Sequence, residues 1–181
     1  MSTTAYAPLI SALTNGVTYG VRVFSYGNSV TTGPFTVAVN NTAYTPGQHD
    51  NVADAYVCSL GSNAPGVPLN NHGLEVGEPA GSNWNFDPDF NTGVSLGKTF
   101  WFTFTPPSTS AYTFTGSVGG NLFTMAVYSA PSAAAMLTGG QTEIGSVDGT
   151  TLSNLCLTAG TQYFIQINLD GAYGTTGTPS L

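Results

Sequence analysis

Between residues 98 and 105 the chain reads Lys-Thr-Phe-Trp-Phe-Thr-Phe-Thr, and the period of two in this run organises the rest. Phe100, Phe102 and Phe104 fall on one face of an extended ribbon, Thr99, Trp101, Thr103 and Thr105 on the other. That alternation predicts a strand with one buried face. Pro106 and Pro107 cannot donate to a ladder and end it. Tyr112-Thr-Phe-Thr115 repeats the alternation after a short loop, so the two runs read as consecutive strands carrying most of the core.

Further period-two segments cover residues 6–13, 17–25, 34–39, 121–128, 141–147, 151–157 and 162–169. Ser132 heads an Ala-rich stretch that can make one helical turn with the serine as its cap. Residues 49–60 form a short amphipathic piece, and residues 61–92 are rich in Gly, Pro and Asn and read as long loops. Many short strands with hardly any helix predict an all-β chain, most simply a two-sheet antiparallel sandwich.

The chain also repeats itself. Leu13, Gly16 and Tyr19 recur as Leu157, Gly160 and Tyr163, each 144 positions on, and Thr32-Gly33 recurs as Thr176-Gly177 at the same offset. In Leu-x-x-Gly-x-x-Tyr the glycine turns the chain, and the tyrosine can bury its ring while its hydroxyl bonds backbone upstream. Tyr19, Tyr163 and Trp101 are therefore expected to be structural. Residues 1–40 read as the closing strands of a preceding repeat, or as donor strands, residues 41–48 as a linker, and residues 49–181 as a nearly whole second sandwich. Three strands without the rest of their sheet must dock on their own domain or complete a neighbour, since they bury too little alone. Under the offset Leu181 matches Val37, so the last strand stops short, which favours the neighbour.

Composition narrows the partners. Only 6% of residues are charged, and Lys and Arg total 2 against 9 acidic residues, a formal charge of −7. This leaves no footprint for nucleic acid or an anionic membrane, and no apolar run is long enough to insert in a bilayer. Low charge with abundant Thr, Asn and Gly suits an extracellular or cell-surface location, with an export signal carried elsewhere. Cys58 and Cys156 could form a disulfide there, or remain two buried thiols.

Five stretches taken in order resemble the bacterial pre-peptidase C-terminal domain. They are Asp50-Asn51 with Ala55, Glu75-Val-Gly-Glu78-Pro79, Thr99-Phe-Trp101-Phe-Thr-Phe104-Thr-Pro-Pro, Met125-Ala-Val-Tyr128, and Leu157-Thr-Ala-Gly160-Thr-Gln-Tyr163-Phe-Ile-Gln-Ile. The resemblance covers roughly residues 49–181 and implies a jelly-roll-like sandwich appended to secreted bacterial enzymes and surface proteins, sometimes in tandem. Where relatives carry an Asp-Thr pair this chain reads Asn121-Leu-Phe-Thr124, and only Asp148 remains of a second acidic pair. A metal or ligand role at those positions is therefore not carried over. A fibronectin type III tail accounts for residues 5–39 equally well, since it shares Leu-x-x-Gly-x-x-Tyr.

No catalytic constellation emerges. His49 and His72 show neither nucleophile–base nor zinc spacing and read as surface loop residues. Cys58 has no activating cation nearby in sequence. Glu75 with Glu78, and Asp87 with Asp89, are paired carboxylates whose separation across a cleft a sequence does not give. Asp87 and Asp89, with Asn85 and Asn91, offer alternating hard oxygen ligands suited to calcium, although Asn and Asp also favour turns. Trp84 and Phe86 in the same loop could stack on a sugar or a peptide, or plug the end of the sandwich. The expected function is a non-catalytic extracellular module for adhesion, substrate targeting or spacing, its partners being neighbouring repeats, identical subunits, or an extracellular glycan or protein. The rivals are a subunit of an extracellular filament assembled by strand exchange and an accessory fragment of a secreted hydrolase.

Overall fold

In a computed structural model of the chain, the described residues are 18, 48–69, 72, 75, 77–82, 98–120, 123–169 and 177–181. Among them strands dominate and a single short α-helix occurs, so the chain is all-β. The strands are β1 (Tyr56–Cys58), β2 (Lys98–Phe104), β3 (Ser110–Thr115), β4 (Ser117–Val118), β5 (Phe123–Ser129), β6 (Thr142–Asp148), β7 (Thr151–Leu157), β8 (Tyr163–Leu169) and β9 (Pro179–Ser180). The helix α1 (Ala133–Met136) begins where the Ser132 hydroxyl accepts from the Ala135 amide at 3.2 Å, the cap expected of that serine.

Five strands form one sheet in the order β1-β2-β8-β5-β6; β3 pairs with β7 and β4 with β9. All pairings are antiparallel except β1 on β2. The register places Phe100 opposite Ile167 and Phe102 opposite Ile165, with Met125 and Val127 of β5 beside the same isoleucines. These side chains, with Phe114, Leu152 and Leu157 from the facing β3–β7 pair, make the main core.

The aromatic run and Tyr112–Thr115 are consecutive strands, as expected, and they lie in different sheets, since β2 pairs with β1 and β8 whereas β3 pairs with β7. Pro106 and Pro107, unable to extend the ladder, carry the chain to the other sheet. One expectation needs correction: β2 does not have only one buried face. Thr99, Trp101 and Thr103 are as enclosed as the phenylalanines, because a second cluster of Val52, Trp101, Ala126, Tyr128, Met136 and Phe164 covers the outer face. The 3-10 turn Val52–Asp54 and α1 lie over that face. Both strands at the centre of the sheet are thus buried on two sides, which period-two polarity disguised because Thr99, Gln166 and Asn168 are polar yet fully enclosed.

The Leu-x-x-Gly-x-x-Tyr unit closes the turn between β7 and β8. Gly160 sits at φ +72°, and the Tyr163 hydroxyl accepts from the Thr158 amide at 3.0 Å. Residues 1–17 and 19–47, including Tyr19 and the expected strands of the preceding repeat, lie outside the described residues.

Because Trp101 and Phe102 are both 0% exposed on opposite faces, truncation of either should be costly. Trp101→Ala and Phe102→Ala are each expected to lose ~3–5 kcal/mol in urea unfolding. A loss below ~1 kcal/mol for Trp101 would mean that the outer face is not a packed core.

Candidate functional site

A sheet face covered by loops has to satisfy polar groups that strands would otherwise pair. On the outer face this falls chiefly to Glu78, with Glu75 beside it. Glu78 Oε1 accepts from Thr99 Oγ1 at 3.1 Å, from the Trp101 indole at 3.1 Å and from the Glu75 amide at 3.2 Å. Its Oε2 accepts from Gln166 Nε2 at 3.3 Å, and the Tyr128 hydroxyl reaches Gln166 Oε1 at 3.4 Å. Glu75 in turn accepts the Val52 amide at 3.2 Å, and the Glu78 amide donates to the Glu75 carbonyl at 3.2 Å. Between the two glutamates, Gly77 holds φ +93° with its α-carbon against the Leu137 carbonyl at the end of α1, where any side chain would collide.

The 48–54 segment is tied to the same place. The His49 carbonyl accepts the Trp101 amide at 2.9 Å. Asp54 caps the segment, accepting the His49 and Asn51 amides at 3.1 and 3.2 Å. Asp50 is 1% exposed and its charge acts on Glu78. The stretches around Asp50, Glu75–Glu78, Trp101, Tyr128 and Gln166 are far apart in sequence, yet they converge on one enclosed polar cluster.

Burial sets the ionisation here. Although Glu78 is only half-buried as a residue, its carboxyl is the enclosed part. Desolvation, reinforced by Asp50, outweighs the donors from Trp101, Thr99 and Glu75 and pushes its pKa up to about 8. Glu75 is raised for the same first reason. The Tyr128 hydroxyl is raised by burial and by the neighbouring Glu143 and Glu78. Burial therefore favours the protonated form of the Glu78 carboxyl near neutral pH. Glu75 and Glu78, considered above as a catalytic pair, are consumed by bonds to backbone and sheet.

The histidines are not the surface loop residues expected. His72 is 1% exposed, stacked on Phe100 at 5.5 Å with ring planes 17° apart, and its Nε2 bonds the Gln48 carbonyl at 2.9 Å. Burial lowers its pKa to about 4. His49 is half-buried against Tyr56 and Phe100, at 5.3 and 5.4 Å. Polarity made both look exposed; neighbouring aromatic rings, which spacing does not reveal, enclose them.

No disulfide forms. Cys58 is buried at the end of β1, whereas Cys156 is exposed on β7. Burial pushes the Cys58 thiol up to about 12, which leaves it protonated and inert. The calcium candidates Asp87, Asp89, Asn85 and Asn91, and the aromatic pair Trp84 and Phe86, lie outside the described residues. Among the described residues, no group of three His, Cys, Asp or Glu side chains converges to hold a metal.

A second feature lies on the opposite side of β2. An open groove of about 360 Å³ runs between the loop after β1 and the edge of β3, floored by Phe104, Tyr112 and Phe114. Val57 and Leu60 beside it are 76% and 64% exposed. Sequence reasoning did not find the groove, because it is made by strand order rather than by any motif. No family model, characterised protein or solved structure matches the chain.

The ionisation makes a signed prediction. Glu78 folds with a raised pKa, so its contribution is full below ~4.5 and is lost as pH rises toward 8. His72 folds with a lowered pKa, so its contribution is lost as pH falls from 6.5 toward 4. Between pH 6.5 and 8 the glutamate acts without the histidine, and stability should fall by up to ~2 kcal/mol. Glu78→Gln, neutral at every pH, should flatten that slope in denaturant titrations; an unchanged slope would place the proton elsewhere.

Proposed function

We propose that the chain is a non-catalytic β-sandwich module of a secreted or surface protein, akin to the pre-peptidase C-terminal domains, used for adhesion, substrate targeting or spacing. One observation carries this reading. The stretches that carry the resemblance converge on a single enclosed cluster, and the carboxylates there accept structural hydrogen bonds instead of facing a substrate. Such a cluster fastens covering segments to a sheet, which is what a spacer or presenting module requires.

On this reading the groups that meet a ligand lie on loops. Trp84 and Phe86 would supply the stacking surface and Asp87, Asp89, Asn85 and Asn91 the calcium ligands, with an extracellular glycan or protein as target. The open groove favours a second reading, a filament subunit that pairs strands with its neighbours. In a hydrolase-accessory reading the catalysis resides in another domain.

The purified chain should turn over no peptide or glycoside substrate; activity abolished by one side-chain change would overturn the non-catalytic reading. A glycan and protein array should report binding that Trp84→Ala removes. If the loop holds calcium, chelator should lower the melting temperature of the wild-type chain and leave that of Asp87→Ala unchanged. The absence of a calcium heat by calorimetry would remove the ion from this account.

A further inference from the structure

Both histidines pack on Phe100, and one of them ties down the step by which the chain reaches the sheet. His72 is mounted on a fixed point. Its amide donates to the Leu69 carbonyl at 3.5 Å, Leu69 is fully buried, and the Leu69 amide bonds the Gly177 carbonyl at 2.8 Å. From that mount the imidazole stacks on Phe100 and its Nε2 reaches the Gln48 carbonyl. A carbonyl only accepts, so the neutral ring carries its proton on Nε2. Nδ1 is then a bare acceptor, enclosed and without a hydrogen-bond partner among the described residues.

The step it holds is not one the backbone prefers. His49 sits at φ +64°, in the left-handed region that favours glycine, and is kept there by the Trp101 amide on its carbonyl and by Asp54. The residues that follow have their own anchor in Val52, which is buried and donates its amide to Glu75. Protonation of His72 would add an N–H at Nδ1, aimed into an enclosed space with no acceptor among the described residues. Burial accordingly lowers the pKa of this ring to about 4; the Gln48 carbonyl and Asp54 favour the proton, while Lys98 of β2 and His49 oppose it. Tyr56 of β1 packs on His49, and Asp50, Glu75 and Glu78 act on one another at the outer face.

We infer that His72 is a proton-operated latch: neutral, it holds the Gln48–His49 step against the sheet, and on protonation its ring leaves Phe100 and that step comes free. The charged ring is stable only where water reaches Nδ1, so it must leave the stack, and its departure takes the donor from the Gln48 carbonyl. The His49 backbone then relaxes and its bond to the Trp101 amide opens, while Val52 keeps the 3-10 turn on the outer face. The result is a joint at the entry to the sandwich that loosens in mildly acidic surroundings, whatever ligand the module takes.

Hydrogen exchange of the Trp101 amide in the full chain, corrected for the intrinsic effect of pH, tests it. A ring that titrates at about 4 when held and at 6.5 when freed makes opening about 20-fold more frequent at pH 5 than at pH 7. The β8 amides should stay slow, since Glu78, whose burial favours the proton, strengthens the whole sheet over the same range. His72→Phe, which keeps a ring on Phe100 and cannot titrate, should remove the pH dependence. His49→Asn, which tolerates the left-handed backbone, should keep it. An unchanged Trp101 amide in the wild type would overturn the latch. So would the same acceleration in His72→Phe, which would give the proton to Asp54 or His49, and so would equal acceleration of the β8 amides, which would mean global unfolding. Should the phenylalanine variant not fold, nitrogen-15 NMR of the wild-type ring decides: its protonation must coincide with opening at Trp101, and an imidazolium formed while that amide stays slow would overturn the latch.

Discussion

Two-sided burial of β2 and β8 is the constraint on which the rest depends. Every residue of β8 is buried, as is every residue of β2 after Lys98. The inner face meets the conventional partner, a second sheet. The outer face is covered by a 3-10 turn, a four-residue helix and loop segments, elements too short to satisfy their own backbone groups. A carboxylate inserted among Thr99, Trp101 and Gln166 joins cover to sheet, and the glycine beside it lets the loop pass under the helix end. Removing an acceptor from such a network strands several buried donors together, which costs more than the separate bonds suggest.

The strands were largely legible in sequence because alternation is a local signal. β3, β5, β6, β7 and β8 fall on the expected segments within a residue or two, and the Ser132 cap and the Tyr163 hydroxyl bond lie where local chemistry puts them. What did not read through was non-local. Thr99, Gln166 and Asn168 look solvent-facing in a period-two pattern, and only the presence of a cover makes them interior. His72 looks like a loop histidine until Phe100 is found beneath it. Glu75 and Glu78 were noticed as a pair, but their role depends on an indole and an amide brought in from β2 and β8. The placement of β2 and β3 in different sheets was hidden for the same reason, since a five-residue connection serves a hairpin or a crossover equally.

The two distinctive places in the molecule differ in kind. The carboxylate cluster is enclosed, and burial there favours the protonated forms of Glu78 and Glu75. The groove is open, lined in part by Phe104, Tyr112 and Phe114, and bordered by an edge of β3 that pairs with no other described strand. Glu78, with Glu75 on the Val52 amide, fastens the outer cover to the sheet through Thr99, Trp101 and Gln166.

The claim that an enclosed, uncompensated carboxyl organises the outer face is tested most directly by its own titration. Carbon-13 NMR of the Glu78 side-chain carboxyl in the folded chain should give a midpoint near 8, as burial beside Asp50 requires. A midpoint at the ordinary glutamate value of about 4.3 would show a solvated or ion-paired group, and would contradict the account of how the cover is held.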